Sequence, residues 1–494
     1  MLKSRATTAF LLPLRTDVIL TLDKKGALFE QLARALKREI IEGRFAAGSM
    51  LPATRTLATT LGVSRNTVLA AYELLLAEQL AVPQAGAGTR VTNATARPPG
   101  SRMPRRRIAA QSRYSARGRA LGPNNLAGGN QNLRYDLQYG SPLVRPQVFA
   151  AWRRKQVAAT IRVGPRYPPS QGGLPLRRAI ADYLLRRRGI SCSPDDVIVV
   201  SGTQQALTIV ARVVVDEGQS VVMEDPHYQY AQQTLLAHGA RLIDVPVDKS
   251  GLVTRDLPSL APRFIYVTPA HQFPSGALMS LERRIALLNY AAKHNCWIFE
   301  DDYDGEFHYD GRPLAALRSL DVRERVIYAG TFSKTLFPGL RLGYIVCPPA
   351  LRDDIYIAKS LDDLGCPSIE QLALAGFLES RQYEKHLRKV LMELRRRREA
   401  LLTGLARHLG EHIEVAASHG GMHVVGSFHR LSYADLNRLI EHSAQKGLGI
   451  YPIHPYYKSP PARPALMLGF AAISSEELAN ATALLARCVS DVGK

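Results

Sequence analysis

At 494 residues, 46% of them apolar, the chain is long enough for two or three domains with ordinary buried cores. No run reaches the roughly 18 apolar residues of a membrane span, and the N-terminus lacks the charged start and apolar stretch of a signal peptide. The net charge is +21, and residues 1–134 hold 21 Lys and Arg against 7 Asp and Glu, which points to a polyanionic partner, nucleic acid before membrane. The five cysteines are scattered without a CxxC, and the thirteen histidines show no ligand spacing. A reducing, cytoplasmic setting and no metal site are expected.

Leu28, Leu32, Leu36 and Ile40 recur every four residues with charges between them, which predicts an amphipathic helix stopping at Gly43. A short second helix is expected over 52–62, with Thr54 as its N-cap and Gly62 in the turn. Ser64 then caps a third helix. Val68, Tyr72 and Leu75 form its buried stripe, and Arg65, Asn66 and Thr67 stand on its exposed first turn. Two helices joined by a tight glycine-containing turn make a helix-turn-helix, whose second helix enters a major groove. Residues 80–82 and 89–91 read as short strands around a tip at 85–88, which forms a wing.

Residues 28–92, with "LPATRTLATTLGVSRNTVLAAYELL" and "AGAGTRV", resemble the GntR-type winged helix. The resemblance implies a DNA-binding domain over 25–92. It implies that Arg55, Ser64, Arg65, Asn66 and Thr67 contact double-stranded operator DNA, with Gly86 at the wing tip.

Residues 93–134 are rich in Arg, Pro, Gly, Ser and Asn and lack apolar periodicity, so they read as a linker. It holds nine arginines, including Arg105, Arg106 and Arg107. Two readings stand side by side: salt-sensitive phosphate contacts, or a tether that touches nothing.

From 135 to 494, apolar runs alternate with helical patterns. The runs lie at 197–200, 220–223, 241–245, 264–267, 297–299, 326–329 and 344–346. Alternation over this length predicts an α/β domain on a mainly parallel sheet, in which ligands collect beyond the carboxyl ends of the strands. Chemically suggestive residues follow these runs. Gly202 and Thr203 would open a helix whose free N–H groups suit a phosphate. Tyr228 offers a ring to stack on a flat cofactor. Asp301 can keep a pyridine nitrogen protonated, and Tyr303 can bond a ring oxygen. A Ca²⁺ or Mg²⁺ cluster at Glu300, Asp301 and Asp302 is the rival, without EF-hand spacing. Lys334, after a buried strand, can lose its proton in a dry site and form a Schiff base with an aldehyde. Thr331, Ser333 and Arg341 suit a phosphate beside it. An aldehyde with a phosphate points to pyridoxal 5'-phosphate (PLP).

Together these segments resemble a fold-type-I PLP domain of the aminotransferase kind, over about residues 135–490. The resemblance implies that Lys334 is the Schiff-base lysine, Asp301 the pyridine partner, Tyr303 the contact to the 3'-oxygen and Tyr228 the stacking ring. It implies a phosphate cup of Gly202, Thr203, Gln204, Thr331, Ser333 and Arg341. A GntR-type winged helix joined to such a domain resembles the MocR/GabR-type transcriptional regulators, as do "TPAHQFPSG", "EDDYDGEFHYDGRPL" and "GTFSKTLFPGLRLGY". That family implies a homodimeric, PLP-dependent regulator rather than an enzyme. It would sense a small amine or PLP itself and control catabolism, transport or synthesis genes for an amino compound or for PLP.

Two positions depart from the aminotransferase pattern. Phe273 stands where an asparagine usually contacts the ring oxygen, a change the MocR-type pattern shares. Met467 stands where amino-acid-binding relatives place an arginine, with Arg463 nearby. Without that clamp, an amine, an amino sugar or cyclitol, or PLP itself fits better than an α-amino acid. The rival readings are an aminotransferase with a nucleic-acid-binding appendage, and an architectural DNA-binding protein whose enzyme-like domain only dimerises.

Overall fold

The computed structural model describes residues 8–12, 15–93, 111–122, 133–310 and 315–492. The chain divides into two compact units, Met1–Ala110 and Gln111–Lys494.

The first unit opens with an antiparallel hairpin, β1 (Thr8–Leu12) and β2 (Arg15–Leu22), which lies before the expected start at 25. Leu20 and Leu22 belong to the unit's apolar core. Helix α1 (Leu28–Ile41) buries Leu32, Leu36 and Ile40, while Leu28 at its start stays exposed. In α2 (Thr54–Leu61), Thr54 is the first helical residue and not the cap. Ala53 holds that position, with no side-chain hydrogen bond. Gly62 ends α2 at φ 65°, a left-handed conformation that favours glycine. Helix α3 (Arg65–Ala77) is capped as expected: Ser64 Oγ accepts the N–H of Thr67 at 3.1 Å. Val68, Ala71, Tyr72 and Leu75 face the core. The Tyr72 hydroxyl donates to Pro52 O at 2.7 Å and ties α3 to the approach of α2. Strands β3 (Ala81–Gln84) and β4 (Gly88–Val91) form the antiparallel wing, and a bridge from Met50 to Arg90 adds a third edge.

The second unit begins with α4 (Arg113–Leu121), inside the stretch expected to be linker. It buries no residue, so it lacks the apolar stripe that would mark it. Polar and aromatic contacts dock it instead: Arg117 Nε donates to Ala237 O at 2.9 Å, and Tyr114 meets His238 edge-on at 5.3 Å. Arg105, Arg106 and Arg107 lie outside the described residues, as does the Gly311–Leu314 end of "EDDYDGEFHYDGRPL".

Next come β5 (Tyr135–Asp136), α5 (Pro146–Arg162), α6 (Leu174–Arg188), β6 (Val197–Val200), α7 (Thr203–Val214), β7 (Ser220–Asp225) and α8 (Gln229–His238). They continue as β8 (Arg241–Asp248), β9 (Gly251–Leu252), β10 (Phe264–Val267), α9 (Leu281–His294), β11 (Trp297–Asp302), α10 (Leu317–Leu320), β12 (Val326–Thr331) and β13 (Gly343–Val346). The large sheet runs β6-β13-β12-β11-β10-β7-β8-β9. Strands β8, β7, β10, β11 and β12 are parallel, and β13 runs against both its neighbours. All seven apolar runs read from the sequence are strands of this sheet. Helices cover it on both sides, as a continuous apolar strand requires.

Helices α11 (Arg352–Asp363), α12 (Ser368–Glu379) and α13 (Gln382–Leu409) lead to a smaller sheet. It contains β14 (Ile413–Val415), β15 (His423–Phe428) and, after α14 (Tyr433–Gln445) and β16 (Leu448–Gly449), β17 (Tyr451–Pro452) and β18 (Ala465–Gly469), in the order β14-β15-β18-β17. Leu394 and Leu401 of α13, Leu436 of α14 and Leu478 and Leu485 of α15 (Ser475–Val492) pack with Val424 and Leu466 in one core. Strand β5 pairs with β16, which holds residues 138–141 beside the carboxyl ends of the large sheet. Among the described residues, no helix is long and apolar enough to cross a membrane.

Candidate functional site

A cavity of about 490 Å³ opens at the carboxyl ends of β6, β7, β10, β11 and β12. Lys334, Asp301, Tyr303, Tyr228, Gly202, Thr203, Gln204, Thr331, Ser333 and Arg341 all line it. The parallel strands bring these positions together from 140 residues of chain.

Strand alternation sorts the three acidic residues of β11. Successive side chains point to opposite faces, so Asp301 shares the face of Phe299, while Glu300 and Asp302 share that of Ile298. Glu300 caps α10, accepting the N–H groups of Leu317 and Arg318 at 2.8 Å each. Asp302 accepts from Arg188 and from the Tyr328 hydroxyl. The three carboxylates diverge: Glu300 and Asp302 are engaged on one face, and Asp301 stands on the other. Among the described residues no group of acidic, His or Cys side chains is gathered as a metal site.

Asp301 faces the cavity. The Tyr266 hydroxyl donates to its Oδ2 at 2.7 Å, and its Oδ1 is buried without a partner. Burial pushes the carboxyl up to about 7. A protonated ring nitrogen would supply the missing donor and the missing charge. Lys334 lies in the turn after β12, where its Nζ donates to Gly140 O at 3.1 Å and stands 5.1 Å from the centre of the Tyr139 ring. Burial lowers its ammonium pKa, and Asp304 and Asp301 oppose that shift.

At the other end, Gly202 (φ 98°) precedes α7, whose first N–H groups are free to receive an anion. Arg341 Nη2 donates to Ser201 O at 2.6 Å. A Cβ at Gly202 would stand 3.4 Å from both terminal guanidinium nitrogens, so glycine preserves the approach. Ser333 Oγ is buried and unpartnered, and Thr331 Oγ1 accepts the Ser333 N–H at 3.1 Å. The Gln204 side chain is turned to Thr234, donating to Oγ1 at 2.5 Å. An orphaned carboxylate oxygen, an orphaned hydroxyl beside a helix N-terminus and an arginine, and a buried lysine together fit the ring nitrogen, the phosphate and the aldehyde of PLP.

Some of the site was not read from the sequence. His271 Nδ1 lies 3.0 Å from Asp304 Oδ2 and 3.1 Å from the Tyr303 hydroxyl, which itself donates to His271 O at 3.0 Å. Tyr303, expected on a ring oxygen, is thus also held by His271. His271 lies two residues before Phe273 in "TPAHQFPSG", and Asp304 directly follows Tyr303 in "EDDYDGEFHYDGRPL". Tyr139 and Gly140 follow a two-residue strand with no periodic signal. Phe273 packs in an aromatic cluster with Tyr139, Tyr228 and Tyr456, at centre distances of 5.1, 5.5 and 5.2 Å.

Residues 136–484 match the family of class I and II aminotransferases, and residues 28–91 match the bacterial regulatory proteins of the gntR family. The probable rhizopine catabolism regulatory protein MocR of Rhizobium meliloti is 36% identical over 93% of each chain. The pyridoxine biosynthesis transcriptional regulator PdxR of Corynebacterium glutamicum is 30% identical over 93% of this chain and 95% of its own. The chain belongs to the GntR/MocR-type regulators. Among solved structures, the α-aminoadipate aminotransferase LysN of Thermus thermophilus, complexed with N-(5'-phosphopyridoxyl)-L-leucine, superposes with a TM-score of 0.68 at 25% identity, over 77% of this chain and 97% of its own. PLP is therefore the cofactor of the large domain in this MocR-type chain.

The GntR-type unit presents its expected residues outward. Arg55, Ser64, Arg65 and Asn66 are exposed and Thr67 is half-buried. Ser64 also serves the cap, and its hydroxyl lies 2.8 Å from that of Thr67. Gly86 turns the wing tip at φ 74° with open space around it.

The orphaned carboxylate gives a pH test. Its folded pKa of about 7 lies above the ordinary 3.8, so ionised Asp301 destabilises the cofactor-free fold. That penalty is absent below pH 4, grows through the interval and is complete above 7. Cofactor-free Asp301→Asn is expected to gain melting temperature relative to wild type as pH rises from 4 to 7, and to level off beyond. The same substitution is expected to weaken PLP retention. A melting difference flat across that range would remove the buried-charge account.

Proposed function

We propose that this MocR-type regulator binds an operator through α3 and the wing, and that PLP on Lys334 reports an amine to it. The observation that carries the sensing half is the pairing of an unpartnered Asp301 oxygen with a buried Lys334 in one cavity. PLP, when bound, supplies an electrophilic carbon that can hold an amine. The chain's own groups orient it: Asp301 for the ring nitrogen, Ser333, Arg341 and the α7 N-terminus for the phosphate, Tyr228 for the ring face. Phe273 and Met467 favour sensing over turnover, because each replaces a polar group of the aminotransferase pattern. The genes controlled would handle an amino compound or PLP, and the setting is cytoplasmic.

A homodimer is part of this reading. Tyr167 and Leu361 leave large apolar side chains 86% and 84% exposed. The segment after α5 and the end of α11 are neighbours, since Ser170 Oγ lies 3.2 Å from Ser360 Oγ. A second copy would cover them. Sedimentation equilibrium is expected to give about twice 54.4 kDa, and a monomer at micromolar concentration would count against this arrangement.

The cofactor half is tested by chemistry. The PLP-loaded chain is expected to absorb in the visible, and borohydride should fix the cofactor on the peptide containing Lys334. Lys334→Ala should lose the band and still bind DNA. An adduct on another lysine would refute the assignment.

The DNA half is tested separately on the operator recovered by crosslinking and sequencing. Arg65→Ala is expected to cost about 1–3 kcal/mol of operator affinity at fixed salt, with the visible band unchanged. Unchanged affinity would move the contact surface off α3.

A further inference from the structure

We infer that the effector held by this cavity is a primary amine whose body carries no acid group and offers hydroxyls or other uncharged polar groups. The inference rests on the proposed function and narrows its ligand.

Among the described residues, the charged side chains lining the cavity are Asp301, Lys334 and Arg341. Each has a counterpart on the cofactor: the ring nitrogen, the aldehyde carbon and the phosphate. Arg341 is fixed at the phosphate end by its bond to Ser201 O and its closeness to Gly202. Among the described residues no lining cation is left to face a carboxylate, sulfonate or second phosphate on an incoming amine. Met467, almost fully buried in β18, occupies the wall with Phe273, Tyr451 and Tyr456. Arg463 does not reach in. Its side chain is 55% exposed and pairs with Glu414 at 3.0 Å, outside the lining.

Two histidines behind the wall are engaged elsewhere. His423 donates Nε2–H to Pro274 O, and burial lowers its pKa to about 3, so it stays neutral. His271 is committed to Asp304. An acid group entering here would lose its hydration without gaining a counter-ion, a cost that hydrogen bonds from the neutral hydroxyls of this wall offset only in part. An uncharged polar group meets the reverse situation. The Tyr139 hydroxyl is buried beside that of Tyr303 without a well-formed hydrogen bond, and a ligand hydroxyl would complete its bonding. The tyrosine faces suit the carbon skeleton of the incoming amine.

The exchange needs no oxidant or reductant. The incoming nitrogen forms the new C=N bond to the cofactor carbon, and the C=N bond to Lys334 breaks. Both N–H protons of the incoming neutral amine pass to Lys334 Nζ, which leaves as a neutral amine.

The test uses three matched pairs of amines that differ only by an acid group against a hydroxymethyl: L-alaninol and L-alanine, serinol and L-serine, 4-amino-1-butanol and 4-aminobutanoate. The PLP-loaded full chain is equilibrated with each at equal concentration and reduced with borohydride. Mass spectrometry then reads how much cofactor has left Lys334 for the free amine. The hydroxymethyl member of every pair is expected to displace Lys334 at least about tenfold more effectively. Equal or better displacement by the acid member of any pair overturns the inference, and so does failure of all three amino alcohols. Absence of a Lys334 adduct in the amine-free control would instead sink the proposed function, so the two failures are distinct.

Discussion

A carboxylate kept from water, with one oxygen satisfied and one not, is the constraint on which the large domain depends. Asp301 cannot be moved without moving β11, because alternation along that strand sends Glu300 and Asp302 to the other face. Those two acids hold the surroundings still: Glu300 caps α10, and Asp302 gathers Arg188 and Tyr328. The strand is thus held through the contacts of its two neighbours, although Asp302 Oδ1 is buried without a partner as Asp301 Oδ1 is. Burial raises the Asp301 pKa to about 7 against the pull of the Tyr266 hydrogen bond and of Lys334, and a cationic ligand relieves that further. Lys334 shows the same logic with the opposite sign, since burial lowers its pKa at the end of the adjacent strand β12.

The strands were legible because both faces of the sheet are covered, which writes each one as an unbroken apolar run such as Val197–Val200 or Val326–Ala329. The residues that follow those runs were legible for the same reason: the strand ends where the site begins. What was not legible lacked such a frame. Gly140 meets Lys334 across 194 residues, and it contributes a carbonyl, which every residue has. Tyr266 was hidden because all of β10 is buried, so nothing distinguishes the one side chain that reaches Asp301. Helix α4 docks through arginines and a tyrosine and so carried no apolar stripe. In the DNA-binding unit the third helix was readable down to its cap, because Ser64 and the Val68, Tyr72, Leu75 stripe agree on one start and one face. Thr54 misled because Ala53 turns the chain into α2 without a side-chain cap.

A sensor and a transaminase ask different things of the same cavity. Turnover needs interactions that strengthen only in the transition state, whereas sensing needs the bound state itself to be occupied. Phe273 bears on this directly. Where aminotransferases usually have an asparagine to contact the ring oxygen, this chain packs an aromatic ring against Tyr139, Tyr228 and Tyr456. Such packing contributes alike to ground state and transition state. The neighbouring tyrosine is also restrained, because Tyr303 donates to His271 O while the His271 ring is held by Asp304. A hydroxyl engaged in that way is less free to follow charge as it moves around a reacting cofactor. The pocket's aromatic wall therefore favours holding an amine over converting it, and holding is what a regulator must read.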